Sequence, residues 1–260
     1  MNLQADSVAV RLAGQAILDD VSLTVADTSM VGLIGPNGSG KSTLLRSLWH
    51  AISPSRGAVL IDGTDVAALP VRELARRVAV LMQDDSTDPR ATVREVVDTG
   101  RLPHRTLLGS DRSPGDPVGD ALAATGVAAF ATRRIDTLSG GQRQRVFAAR
   151  TLAQATPIVL LDEPTNHLDL AAQLDLLELF RTRDVTVIAA LHDLNLAAAY
   201  CDRLHLLDNG RLVASGTPQQ VLSPERIRAV FGVAAAISTN PLTGACAVHI
   251  GPRNDTQGTP

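Results

Sequence analysis

Aromatic residues are almost missing from this chain: one Trp, one Tyr and four Phe make up 2% of its 260 residues. A platform that stacks nucleic-acid bases on rings would be hard to build from that stock. Net charge is −3, so no excess of positive charge marks a nucleic-acid binder either. The only two cysteines, Cys201 and Cys246, lack metal-ligand spacing. They fit free thiols in a reducing compartment rather than a disulfide framework. No apolar run approaches the ~20 residues that cross a bilayer. The opening "MNLQADSVAV" has no basic segment ahead of a long apolar one, so no secretory signal is expected and the chain is placed in the cytosol. Internal repeats and long charge runs are also missing.

What is present is ordinary globular material, 45% hydrophobic and 20% charged. Strand patterns are expected at residues 7–12, 16–25, 30–35, 57–63 and 76–83, with a helix from Ser42 to about Ala51. From 84 to about 155 the pattern turns helical, with a Gly/Pro-rich surface loop at 109–119. Strands return at 157–164, 185–193, 203–210 and 211–216. Strands separated by helices predict a largely parallel sheet with helices packed on it. The domain is read as 1–250, with a helical subdomain inserted at about 84–155. The polar tail 251–260 is expected to be disordered.

Three stretches carry chemistry. "GPNGSGKS" matches G-x-x-x-x-G-K-[ST] between a strand and a helix, the context this motif requires. Bare backbone at Gly35, Gly38 and Gly40 lets successive N–H groups point inward at phosphates. The loop Gly35, Pro36, Asn37, Gly38, Ser39 and Gly40, with Lys41, Ser42 and Thr43, is therefore the expected cradle of a nucleoside triphosphate. Lys41 would reach the β- and γ-phosphates, and the Ser42 hydroxyl would ligate Mg²⁺. The helix start adds its positive dipole end.

The second stretch, "IVLLDEPTNHLDL", is a buried strand ending in two carboxylates. Asp162 can hold Mg²⁺ through water, and Glu163 can polarise an attacking water as general base. Taken alone, this is also what an acidic turn after a core strand looks like. In the third, "TLSGGQRQRVFAARTLAQ", Ser139 reads as an N-cap before two glycines and a helix. Ser139, Gly140, Gly141 and Gln142 thus form a second amide-lined helix tip suited to phosphate.

With "LSGGQRQR" followed by "LLDEP", the chain resembles the ATP-binding subunits of ABC transporters, from about residue 3 to 250. That family's fold is a P-loop NTPase core of mixed, largely parallel sheet. It carries a helical signature subdomain and an N-terminal antiparallel β part. The resemblance implies ATP and Mg²⁺ as cofactors and a head-to-tail homodimer in which each signature completes the partner's ATP site. It further implies that Gln83 ("VLMQDD") lies near Mg²⁺ and a permease, and that Asp169 ("NHLDL") is the D-loop aspartate. His192 ("ALHDLN") is then the switch histidine at the γ-phosphate. The family usually stacks adenine on an aromatic of the first hairpin. Leu12 stands at that place, which implies weaker adenine contact and tolerance of GTP.

"GRLPHR" (100–105) is similar to a run common in importers of iron–siderophore, haem and vitamin B12, as are 192–233 and the 240–250 hairpin. On chemistry alone, Arg101, His104 and Arg105 could equally be a solvated basic loop. The resemblance implies an ATPase energising iron–siderophore uptake, or haem or cobalamin uptake, through a permease on separate chains. A substrate-binding protein would be an indirect partner, and the chain would sit at the cytoplasmic face of the membrane. The alternative is an ABC ATPase of the translation-factor or assembly type, since "TNHLDL" occurs there too. Those usually carry two ATPase halves, and this chain has one set of motifs. Lys41 and Ser139 stand only 98 positions apart. The stretch between them leaves no long coiled coil of the DNA-repair kind.

Overall fold

Alternation builds the first layer. Along Leu3–Leu12 (β1) and Gln15–Val25 (β2), buried and exposed residues take turns, broken by a bulge near Ser7. A two-residue turn, Ala13 and Gly14, joins them, and both residues take positive φ as tight hairpins require. The computed structural model describes residues 1–82, 87–106, 111, 114–166 and 168–252. Its further elements, in order, are Met30–Ile34 (β3), Lys41–Leu48 (α1), Arg56–Ile61 (β4), Thr64–Asp65 (β5), Val71–Arg77 (α2) and Val78–Leu81 (β6). Val93–Asp98 (α3), Pro117–Ala124 (α4) and Gly140–Ala153 (α5) follow, then Ile158–Asp162 (β7), Leu170–Arg181 (α6) and Thr186–Ala190 (β8). The chain continues with Leu194–Tyr200 (α7), Arg203–Asp208 (β9), Arg211–Gly216 (β10), Pro218–Val221 (α8) and Pro224–Phe231 (α9). It closes with Ala235–Thr239 (β11) and Cys246–Ile250 (β12).

An antiparallel sheet, β2-β1-β4-β5, faces a six-stranded sheet ordered β10-β9-β3-β8-β7-β6. In the second sheet only β10 runs antiparallel to its neighbour. Its central strands β3, β7 and β8 are buried at every residue, as expected where both faces are covered. Period two then sends alternate residues to opposite layers. Val31, Leu33, Ile158, Leu160, Ile188 and Ala190 pack with α1 and the antiparallel sheet. Met30, Ile34, Val159, Leu161, Val187 and Ala189 pack with α6 to α9. A third cluster, from Val93 to Ala153, joins α3, α4 and α5.

The mixed, largely parallel sheet and the antiparallel part match the expectation. Several boundaries do not. Arg76 and Arg77 belong to α2, where Arg77 pairs with Glu73 one turn earlier, and the strand starts only at Val78. α1 stops at Leu48, because His50 takes φ +60. Residues 117–119, expected in a surface loop, open α4: Asp116 caps it by accepting from the Gly119 amide at 2.9 Å, with Pro117 at the first position. Residues 107–110, 112, 113 and 253–260, which cover much of that loop and of the tail, lie outside the described residues.

The basic run 101–105 is no solvated loop. Arg101 is 2% exposed and donates to Asp111 at 2.7 Å and to the Ala153 carbonyl at 2.6 Å. His104 Nε2 lies 2.8 Å from the Gln154 carbonyl, and Arg105 pairs with Asp98. Arg72 and Arg76 of α2 both donate to the Pro103 carbonyl, while the Gln154 amide donates to the carbonyls of Ala75 and Val78. The segment therefore clasps the end of α5 to α2 and the start of β6.

Candidate phosphate-binding and catalytic site

Three strand ends meet at one edge of the sheet. β3 pairs with β8 and β8 with β7, all parallel, so their carboxyl ends lie side by side. β3 runs into the glycine-rich loop, β7 ends in Asp162 and Glu163, and His192 follows shortly after β8. Ligands of open α/β sheets gather at such ends.

The loop is tightly set. Gly35 has φ +149, and a Cβ there would stand 2.2 Å from the Leu207 carbonyl. Any side chain would push the loop off β9. Gly40 caps α1 in a left-handed conformation, and the Leu44 amide donates back to it at 2.8 Å. Lys41 is 4% exposed, and its Nζ donates to the carbonyls of Gly35 and Pro36 at 2.8 and 3.0 Å. Burial pulls the Lys41 pKa below its ordinary value, opposed by the charges of Glu163 and Asp162. A buried ammonium resting on neutral carbonyls is a site for an anion. Ser39 Oγ, buried in the same loop, has no hydrogen-bond partner.

Ser42 Oγ donates to Asp162 Oδ1 at 2.9 Å. Burial pushes the Asp162 pKa up, opposed chiefly by the Ser42 hydrogen bond and by Arg46. Glu163 takes φ +51, left-handed for a residue with a side chain, a strain of about 1–3 kcal/mol. Its two oxygens go separate ways: His192 Nε2 lies 2.5 Å from Oε1, and Asn166 Nδ2 donates to Oε2 at 2.6 Å.

These groups surround a cavity of about 740 Å³ lined by Ile17, Asn37, Gly38, Gly40, Lys41, Ser42, Thr43, Glu163, Asn166 and His192. Hydroxyl and carboxylate oxygens side by side are the hard donors Mg²⁺ takes, and Lys41 with the loop amides suits phosphate. The residues present therefore fit both a triphosphate and its metal.

The ABC transporter family model matches residues 18–166, more than half of the chain. The chain belongs to the ABC transporter family. It is 48% identical over 252 residues to the cobalamin import ATP-binding protein BtuD of Halobacterium salinarum, covering 95% of this chain and 63% of BtuD. It thus spans under two thirds of that relative's length. It is 39% identical to the ferric enterobactin transport ATP-binding protein FepC of Escherichia coli K12, covering 93% of this chain and 91% of FepC. The hemin import ATP-binding protein HmuV of Pseudomonas entomophila is 43% identical, with coverages of 93% and 97%. Among solved structures, the ATP-binding subunit of an ABC transporter superposes with TM-score 0.75 at 26% identity, covering 89% of this chain and 94% of that one.

Within this ABC transporter chain the expected site residues fall into two groups. Most of the loop, Glu163 and His192 line the cavity, with Asp162 joined to it through Ser42. Ser139, Gly140, Gly141, Gln142 and Asp169 do not line it. Ser139 caps α5 in a reciprocal box with Gln142, at 3.3 and 3.1 Å, and both Ser139 and Gly140 face outward. Asp169, also exposed, caps α6 through the Ala172 amide at 2.9 Å. Gln83 lies outside the described residues.

Two lining residues escaped the sequence reading. Asn166 sits in "TNHLDL", but nothing in that run reveals that its amide turns back onto Glu163. Ile17 lies on β2, and it is Ile17 that the hairpin presents to the cavity. Leu12, 42% exposed, does not line it.

Proposed function

We propose that the chain is the ATP-binding and hydrolysing subunit of an ABC importer, energising uptake of a metal chelate through a permease on separate chains. The single observation that carries this reading is the gathering of Lys41, Ser42, Asp162, Glu163 and His192 around one cavity at the ends of three parallel strands. The relatives named for cobalamin, ferric enterobactin and hemin import support the cargo class. The "GRLPHR" run fits importers of all three; iron–siderophore is proposed first, with haem and cobalamin after it.

The chain's own residues divide the work. The loop 35–40 and Thr43 would wrap the phosphates with backbone and hydroxyl donors, and Lys41 would offset their charge where burial strengthens it. Ser42, Asp162 and Gln83 would hold Mg²⁺, which when bound neutralises charge on phosphate oxygens. Glu163 would accept a proton from the attacking water, and His192, beside Oε1, would orient that carboxylate. Ser139, Gly140 and Asp169, exposed in one chain, with the half-buried Gly141 and Gln142, would reach the nucleotide of a second copy in a head-to-tail homodimer. A closed pair existing only with ATP bound would shift the permease between two states.

The helical part, about 84–155, is the proposed permease docking surface. Among the described residues no helix is long and apolar enough to cross a membrane, which leaves the spanning role to the partner. The subunit would then sit at the cytoplasmic face, with a substrate-binding protein as an indirect partner.

Glu163→Gln is the direct test. It should lower ATP turnover by about 10³-fold, the middle of the range for general-base effects, and yield a dimer that survives gel filtration in ATP. Turnover at the parental rate would remove Glu163 from the role of base.

A further inference from the structure

The Glu163 carboxylate is held from two sides. His192 accounts for Oε1; Oε2 takes the Asn166 side-chain amide at 2.6 Å. The hold is local. Asn166 lies three residues after Glu163, and its own N–H donates to the Glu163 carbonyl at 3.3 Å, closing a turn over Pro164 and Thr165. That turn is anchored outside the site. The Gln144 amide of α5 donates to the Pro164 carbonyl at 3.1 Å, and the Gln173 amide of α6 donates to the Thr165 carbonyl at 3.2 Å. Thr165 is itself buried.

We infer that Asn166 is a positioning residue for hydrolysis: its amide fixes the orientation of the Glu163 carboxylate, and does so without taking or giving a proton. An amide suits this task. It donates to the carboxylate, adds no charge beside it, and does not titrate in the working pH range. Each carboxylate oxygen has two acceptor sites, so a water can still bind an oxygen already held by Asn166. A general base must stand within hydrogen-bond reach of the water in the correct direction, and small misplacement is costly in rate. Glu163 has particular need of such a hold. Its backbone is left-handed, so the surrounding contacts rather than a preferred local conformation set where the carboxylate points.

The inference rests on Glu163 being the base, and the test separates the two claims. Steady-state ATP hydrolysis by the full chain is measured for Asn166→Ala, Asn166→Asp, Glu163→Gln and the double variant Glu163→Gln/Asn166→Ala. Asn166→Ala should lower kcat by about 10- to 100-fold, in line with the loss of a hydrogen bond to a charged group, with KM for ATP within about twofold. The isosteric Asn166→Asp, which replaces the donor with a second carboxylate, should lower kcat at least as far. The double variant should be no slower than Glu163→Gln alone, because a positioning residue has nothing left to position.

A parental kcat in Asn166→Ala, or a rise in KM at unchanged kcat, overturns the inference in favour of a packing or nucleotide-contact role. A double variant slower than Glu163→Gln by the full Asn166→Ala factor overturns it too, since a general loss of folded protein would be additive. Glu163→Gln turning over at the parental rate would instead sink the underlying assignment of the base. Thermal unfolding of each variant checks that folding is intact.

Discussion

Ser42 and Asp162 stand 120 positions apart in the chain, yet the serine Oγ donates to the aspartate Oδ1 at 2.9 Å. One residue lies in the first turn of α1 and the other ends β7, so this hydrogen bond joins the phosphate loop to the acidic strand end. The pair makes a function that opposes stability. Burial already disfavours the Asp162 charge. Asp162→Asn should therefore raise the melting temperature of the nucleotide-free chain while abolishing Mg²⁺-dependent ATP turnover. Differential scanning calorimetry and a turnover assay across a Mg²⁺ titration check both halves.

Gly35 and Gly38 belong to one motif but differ in surroundings. A Cβ at Gly35 would meet the Leu207 carbonyl at 2.2 Å, whereas one at Gly38 meets nothing within 4 Å. Gly38→Ala should cost only the left-handed backbone penalty, about 1–2 kcal/mol. Gly35→Ala should displace the loop, losing at least about 100-fold in ATP affinity and more stability than Gly38→Ala. Isothermal titration with a non-hydrolysable analogue compares them.

Removing the Arg101 guanidinium should loosen the clasp between α5 and α2. Arg101→Met keeps the aliphatic stem but leaves the Ala153 carbonyl and the Asp111 carboxylate without this donor. A loss of roughly 2–3 kcal/mol is expected from hydrogen bonds to a charged group. Urea unfolding measures it, and an unchanged midpoint would mean the run is ornamental to the fold.

His205, on β9, is 2% exposed and neither ring nitrogen has a hydrogen-bond partner. Burial lowers its pKa from 6.5 to about 4, with the Arg203 charge adding to the shift. The neutral ring is tolerated in the fold, but the unfolded chain takes up a proton once pH falls below 6.5. Stability from this group is therefore complete above that pH and lost as pH falls toward 4, by about 2 kcal/mol at pH 5 and about 3 in all. His205→Leu should flatten the dependence of unfolding free energy on pH between 7.5 and 5. An equally steep fall in the variant would assign the effect elsewhere.

The phosphate loop was legible because its spacing is set by local backbone geometry: Gly35, Gly40, Lys41 and Ser42 act within one turn of chain. Asp162 and Glu163 were legible because an apolar strand ending in carboxylates is also a local pattern. The Arg101 clasp was not, since a basic run looks alike whether it meets water or the Ala153 and Gln154 carbonyls some 50 residues away. α2 escaped for a related reason: "VRELARRVAV" passes from helix to strand at Val78 without a glycine or proline to mark the change.

What the sequence determined by itself, then, was the chemistry: which residues can grip phosphate, hold a metal or move a proton, since those depend on side-chain type and short spacing. Parallel pairing of β3, β8 and β7 decided that these residues share one cavity, because only strand order brings distant chain segments to a common edge. Tertiary structure alone decided that Asn166 turns onto Glu163 and that Ser139 faces outward. Both depend on where a side chain points, and packing sets that direction.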